Sequence, residues 1–208
     1  MTDLSAAETT KACCADLYAS EWARALLGGS FHPGGMRLTE RLGVLLGLDA
    51  QTRVLDLAAG RGTSALHLAR EFGCQIVGVD YSARNVALAQ ESALEQGLAG
   101  RVQFVRGDAE QLDAFADASF DAVVCECAFC TFPDKQAAAA EIARVLVPGG
   151  RIGLGDLTRS GLLPARVRWA PRLGRLHWRR AANRRLCRTL RDGRPECGTR
   201  RAARRSIG

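Results

Sequence analysis

Two hydrophobic periods divide the chain. Before residue 50 apolar positions recur at helical spacing. Leu17, Trp22, Leu26 and Leu27 predict a helical segment over 3–27, ended by Gly28-Gly29. Leu38, Leu42, Leu45 and Leu46 predict a second helix over 36–47 with this stripe as its apolar face, and Gly47 as its stop. The SFHPGG between them, 30–35, reads as a turn-rich loop. From residue 53 onward short apolar runs alternate with helical stretches. Strands are predicted at 53–57, 75–79, 101–105, 120–124 and 151–156, and helices at 63–72, 83–96 and 134–146, with PGG at 148–150 as a turn. Strands alternating with helices imply an α/β fold, with parallel βαβ units and helices on both faces of the sheet. A ligand is then expected beyond the carboxyl ends of the strands. After Asp156 neither period persists.

Three regions follow: an N-terminal helical lid or cap over 1–50, a ligand-binding core over 51–158, and a tail over 159–208. Composition changes the picture mainly for the tail. With 208 residues, one core with additions is the natural organisation. The formal net charge of +7 hides an asymmetry. The last 50 residues hold 16 arginines, no lysine, Asp192 and Glu196, a net of +14; residues 1–158 hold 13 basic and 20 acidic side chains, a net of −7. The high isoelectric point therefore belongs to the tail, and the body is a mildly acidic domain. No run of eighteen apolar residues predicts a membrane span. The opening MTDLSAAETTKACC has no apolar signal region, so a cytoplasmic location is expected. The eight cysteines, at 13, 14, 74, 125, 127, 130, 187 and 197, are then expected to be mostly reduced.

The candidate chemistry begins in VLDLAAGRGTSA, 54–65. A strand ending in an acid leads through glycines into a helix N-terminus, whose free N–H groups and positive dipole end suit a polar or acidic head group. Asp80 ends the second strand, 20 positions after Gly60, where an acid accepts from the two hydroxyls of a ribose. Ser82 is available as the cap of the helix that follows. GRGTSA also fits a loose dinucleotide-binding loop, which leaves NAD open at this point. Against it, Asp56 in front of the loop would repel a pyrophosphate and attract a cation. Asp108-Ala109 follows the third strand, where an acid can accept from an adenine amine.

Together VLDLAAGRGT, VGVDYS, GDAEQL, FDAVV and ARVLVPGGR resemble the class I S-adenosylmethionine-dependent methyltransferases over residues 53–156. The resemblance implies a three-layer Rossmann-like sheet preceded by helices, with S-adenosylmethionine as cofactor. It also implies that Asp56, Ala58, Gly60 and Gly62 hold the methionine end, Asp80 and Tyr81 the ribose, and Asp108 and Ala109 the adenine. Cys125 and Glu126 would then border the transferable methyl. Families of this kind close the sheet with a C-terminal β-hairpin, and nothing after Asp156 reads as one.

CECAFCTFPDK followed by E-x-x-RVL-x-PGGR is similar to the matching stretch of arsenite and quinone-biosynthesis methyltransferases. In the arsenite enzymes a cysteine lies in this loop, and Cys127 matches it. A three-thiolate site for a soft metalloid would draw on Cys13, Cys14, Cys125, Cys127 and Cys130. C-x-C-x-x-C is not a standard zinc spacing, and buried cysteines also serve as small hydrophobes. His32 reads either as a general base or substrate contact, or as a loop histidine bonded to backbone. Cys127, Glu126 and His32 are thus the candidate catalytic side chains.

The arginine-rich tail reads as a basic arm for nucleic acid, a disordered appendage, or an out-of-frame stretch. The expected function is methyl transfer to a small-molecule acceptor, with a thiophilic acceptor such as arsenite as the sharper form. The alternatives are a basic-tailed RNA methyltransferase and a truncated, non-catalytic remnant.

Overall fold

A computed structural model describes residues 8–12 and 34–156. The expectations for Cys13, Cys14, His32 and the tail lie outside the described residues, as does the first helix apart from residues 8–12, which are helical. The described elements are α1 (Gly35–Leu46), β1 (Arg53–Leu57), α2 (Thr63–Phe72), β2 (Gln75–Asp80), α3 (Ala83–Glu95), β3 (Val102–Arg106), β4 (Phe120–Glu126), a 3-10 turn (Phe129–Thr131), α4 (Lys135–Val145) and β5 (Leu146–Gly155). The strands form one sheet in the order β3-β2-β1-β4-β5, and every pairing is parallel. The chain order reverses direction between β1 and β4, which is where such sheets open a crevice for ligands.

The strands are buried on both faces because helices cover both. One face packs Leu55, Leu57, Val123, Cys125 and Ile142 together; the other packs Val54, Ala65, Leu68, Val86 and Val124. Alternation along β1 and β4 assigns each side chain to its face. Ser82 Oγ accepts from the Asn85 N–H at the start of α3, as available from the sequence, and Gly73 closes α2; Asp134, expected as the first residue of its helix, is instead the cap of α4 and accepts from Gln136 and Ala137 N–H.

Four details depart from the sequence expectation. The buried line of α1 is Thr39, Gly43 and Leu46, while Leu45 is 61% exposed. Phe72 packs on bare Gly43, where an added Cβ would lie 2.3 Å from the ring. Leu46 and Leu48 belong to the main core, so a boundary at residue 50 cuts through packed structure. The PGG of 148–150 is no turn; it is a bulge inside β5, where the four residues between Leu146 and Arg151 stand opposite the single Asp121 of β4. β4 runs two residues further than expected, to Glu126. That extension decides where the cysteines lie.

Candidate functional site

The cleft sits at the carboxyl ends of β1, β2 and β4. Its walls include Asp56, Ala58, Gly60, Asp80, Tyr81, Asp108, Ala109, Glu126 and Cys127, all expected from the sequence. Gly62 and Cys125 are not among its lining residues.

Asp80 is held on both oxygens. Gly60 N–H donates to Oδ2 at 2.8 Å, and Ser82 N–H and the Asn85 amide donate to Oδ1 at 2.9 and 3.2 Å. The carboxylate that ends β2 therefore also fixes the glycine loop after β1. Gly60 has φ +58 and open space where a Cβ would stand. Gly62 caps α2 at φ +79, with its Cβ direction blocked by Phe104 at 2.4 Å. Gly60 thus leaves room on the cleft wall, whereas Gly62 lets the loop pack on the core.

Asp56 is 3% exposed, and its Oδ2 is buried without a hydrogen-bond partner among the described residues. Burial first, then the charges of Glu126 and Asp80, raise its carboxyl well above the ordinary carboxylate range. Glu126 Oε2 accepts from Ser64 Oγ at 2.7 Å and from Thr39 Oγ1 at 2.9 Å, which ties α1 and α2 to the end of β4. Three carboxylates thus converge on one end of the cleft. These acids favour a cationic group such as a sulfonium or ammonium over a pyrophosphate, and a cation seated there would in turn favour the ionised form of Asp56 that burial opposes.

The state of Asp56 has a sign that can be measured. Its unfolded pKa is about 3.9 and its native value is higher, so between the two the native state keeps a proton the unfolded chain has lost. Stability is expected to fall as pH rises through that window. Asp56→Asn, which does not titrate, should abolish the decline. Urea unfolding from pH 4 to pH 8 checks this; parallel curves for the two proteins would refute it.

The cysteine turn divides by strand direction. Cys125 is the sixth residue of β4, fully buried among Leu57, Val123 and Ala138, with burial as the main cause of a raised thiol pKa. It is a core side chain, not a border of the cleft. Cys127 does line the cleft, in a left-handed conformation at φ 52, with its N–H on the Gly155 carbonyl at 2.7 Å. Burial, then Asp156 and Glu126, push its thiol to about 11. Cys130 lies in the 3-10 turn; burial and the Asp156 carboxylate push it to about 12. Among the described residues no group of three His, Cys, Asp or Glu side chains is placed to hold a metal ion.

Some cleft residues carried no clear sequence signal. Ser64 stands at the helix start after the glycine loop, and Thr131, Phe132 and Pro133 form the wall after the cysteine turn. Lys11 reaches the cleft from the N-terminal segment; its Nζ lies 2.6 Å from Asp108 Oδ2 and 2.5 Å from Glu110 Oε2. Nothing local announces a contact across 97 residues.

A protein-family profile described as a methyltransferase domain matches residues 55–154. Methyltransferase GfsG of Streptomyces halstedii is 36% identical over 129 residues, 62% of this chain and 46% of that protein. The 27-O-demethylrifamycin SV methyltransferase of Amycolatopsis mediterranei is 38% identical over 120 residues, 58% of this chain and 44% of that one. The chain thus spans about half the length of these curated relatives. Among solved structures, the [4+2]-cyclase SpnF superposes with a TM-score of 0.65 at 32% identity, covering 80% of this chain and 60% of that one. No helix among the described residues is long and apolar enough to cross a membrane.

Proposed function

Through residues 55–154 the chain belongs to the class I S-adenosylmethionine-dependent methyltransferases, and on that premise we propose that it methylates a hydroxyl of a small organic molecule. The observation that carries the reading is the Asp56–Asp80–Glu126 cluster of acids on one end of the cleft, which suits a cationic cofactor; such a cation would favour the ionised form of Asp56 that burial opposes. When bound, S-adenosylmethionine supplies an electrophilic methyl on a sulfonium. The chain supplies the rest. Asp80, its orientation fixed by three donors, accepts from the ribose hydroxyls. Asp108 accepts the adenine amine, and Asp56 with the Gly60 loop holds the methionine end. Alignment and exclusion of water provide most of the acceleration in an in-line displacement. A hydroxyl acceptor must also lose a proton, and Glu126, on the cleft wall at the end of β4, is the group we assign to take it at a carboxylate oxygen.

Relatives with O-methyl transfer in their names support the oxygen acceptor. A thiophilic acceptor such as arsenite would use Cys127 and Cys130, whose thiols are held protonated at neutral pH by burial and by Asp156. The oxygen acceptor is therefore the better supported of the two.

The test is transfer of a labelled methyl group to a panel of phenols, quinols, polyketide alcohols, arsenite and RNA. Glu126→Gln is expected to lower kcat about 100-fold, the scale of a lost general base. Transfer to arsenite alone, or to RNA alone, would replace the proposed acceptor class. An undiminished kcat would remove Glu126 from proton transfer.

A further inference from the structure

Thr39 puts a hydroxyl in a line that packing alone would fill with carbon. Thr39, Gly43 and Leu46 make up the buried face of α1, and Thr39 is fully withdrawn from solvent. A hydroxyl at that depth needs a partner. Glu126, 87 residues later, supplies one: its Oε2 accepts from Thr39 Oγ1 at 2.9 Å. The same oxygen accepts from Ser64 Oγ at 2.7 Å, so hydroxyls on two different helices hold one carboxylate oxygen. Close backbone approach brings α1 to that place. Glu126 is paired in register with Gly155 of β5, and α1 lies against the same end of that strand. A Cβ added at Gly153 would lie 2.9 Å from Leu46 Cδ1, and one at Gly155 would lie 3.7 Å from Leu42 Cδ1. The bare end of β5 thus seats α1 where position 39 meets the end of β4. Thr39 itself stands ahead of residues 55–154, the stretch that the methyltransferase profile matches.

We infer that Thr39 is a positioning residue for methyl transfer: its hydroxyl, with that of Ser64, fixes the Glu126 carboxylate on the cleft wall in the orientation that receives the acceptor's proton. The inference rests on the reading of Glu126 as the group that takes this proton, and it gives Thr39 no contact with substrate or cofactor. A glutamate side chain has three rotatable bonds and loses rotamer freedom only where something holds it. Here it stands beside Asp56, whose carboxylate it repels when both are ionised. Two donors on Oε2 tie Glu126 to α1 and α2 instead of leaving its orientation to that repulsion. A general base must stay within hydrogen-bond reach of the proton it takes, so a misplaced carboxylate costs rate more than binding. Ser64 lines the cleft itself, and its removal would also alter the cofactor's surroundings. Thr39 is not among the lining residues, which makes it the cleaner handle on Glu126.

The experiment measures kcat and KM with S-adenosylmethionine and the phenol, quinol or polyketide alcohol of the panel that wild type turns over fastest. Thr39→Val keeps the shape and removes the donor. It is expected to lower kcat about tenfold with KM near wild type, the scale of one hydrogen bond to a charged acceptor. In a Glu126→Gln background the same substitution should change kcat by less than about twofold, because a residue that acts through Glu126 has no base left to position. If Thr39→Val folds poorly, Thr39→Ser and Thr39→Ala carry the comparison. Both lose the methyl and they differ only in the hydroxyl, so Thr39→Ser should be about tenfold faster. Wild-type kcat in a folded Thr39→Val would overturn the inference, as would equal rates in Thr39→Ser and Thr39→Ala. So would an equal loss in the Glu126→Gln background, which would make Thr39 a support of the fold. Undiminished kcat in Glu126→Gln alone, or a wild type that methylates no hydroxyl of the panel, would bring down the reading of Glu126, and the positioning role with it.

Discussion

Asp80→Asn is expected to weaken S-adenosylmethionine binding by about 100-fold, which corresponds to about 3 kcal/mol and to the loss of one or two hydrogen bonds to a charged acceptor. The substitution keeps the size and shape of the side chain, yet it is not conservative here. Both carboxylate oxygens accept: Oδ2 from Gly60 N–H, Oδ1 from Ser82 N–H and the Asn85 amide. An asparagine must turn its NH2 toward one of these donors. If it faces Gly60, the glycine loop loses its anchor; if it faces Ser82, the start of α3 does. Either way the remaining acceptor lies in the wrong place for two ribose hydroxyls. Isothermal titration gives the affinity, and urea unfolding separates it from a loss of fold. A folded Asp80→Asn protein with wild-type affinity would refute the ribose assignment.

Gly62→Ala and Gly60→Ala are expected to fail in opposite ways, although the two glycines lie two residues apart in one motif. Both have positive φ, which costs an alanine about 1–2 kcal/mol. At Gly62 the new methyl would also lie 2.4 Å from Phe104 Cζ and 3.1 Å from the Ala89 Cβ, inside the core face that α2 and α3 share. Overpacking of that kind costs about 1–3 kcal/mol more, so Gly62→Ala should lose about 3 kcal/mol of stability in urea unfolding. At Gly60 no atom lies within 4 Å of the new methyl. Gly60→Ala should therefore lose only the strain energy, but it places a methyl on the cleft wall and should cost about tenfold or more in cofactor affinity. Equal destabilisation by the two substitutions would contradict the geometry.

The contrast marks how far the amino-acid order carries. Periodicity predicts β1, α2 and their neighbours to within a residue or two, because alternation, caps and glycine stops are short-range effects. The acids at 56, 80 and 108 and the glycine at 60 are legible for the same reason: each stands at a strand end, and strand ends converge in a parallel sheet. The leucine stripe of α1 is less informative. It predicts the helix and part of its inward face, with Leu46 buried and Leu38 and Leu42 half-buried, but Leu45 faces outward and the buried positions include Thr39 and Gly43, on which Phe72 rests.

The α/β fold and the three acids at its strand ends were determined by the sequence alone, through local chemistry repeated at regular spacing, and the motif resemblance added the methyl donor. The tertiary structure alone decided the rest. Two further residues of strand in β4 turn Cys125 into the core and leave Glu126 and Cys127 on the cleft. Packing of α1 delivers Thr39 to Glu126 across 87 residues, and the N-terminal segment brings Lys11 to Asp108 across 97. The physical reason is common to all three. Which side of a strand or helix a residue faces, and which distant charge it meets, follows from where packed elements stop and how they are rotated. No spacing along the chain encodes that.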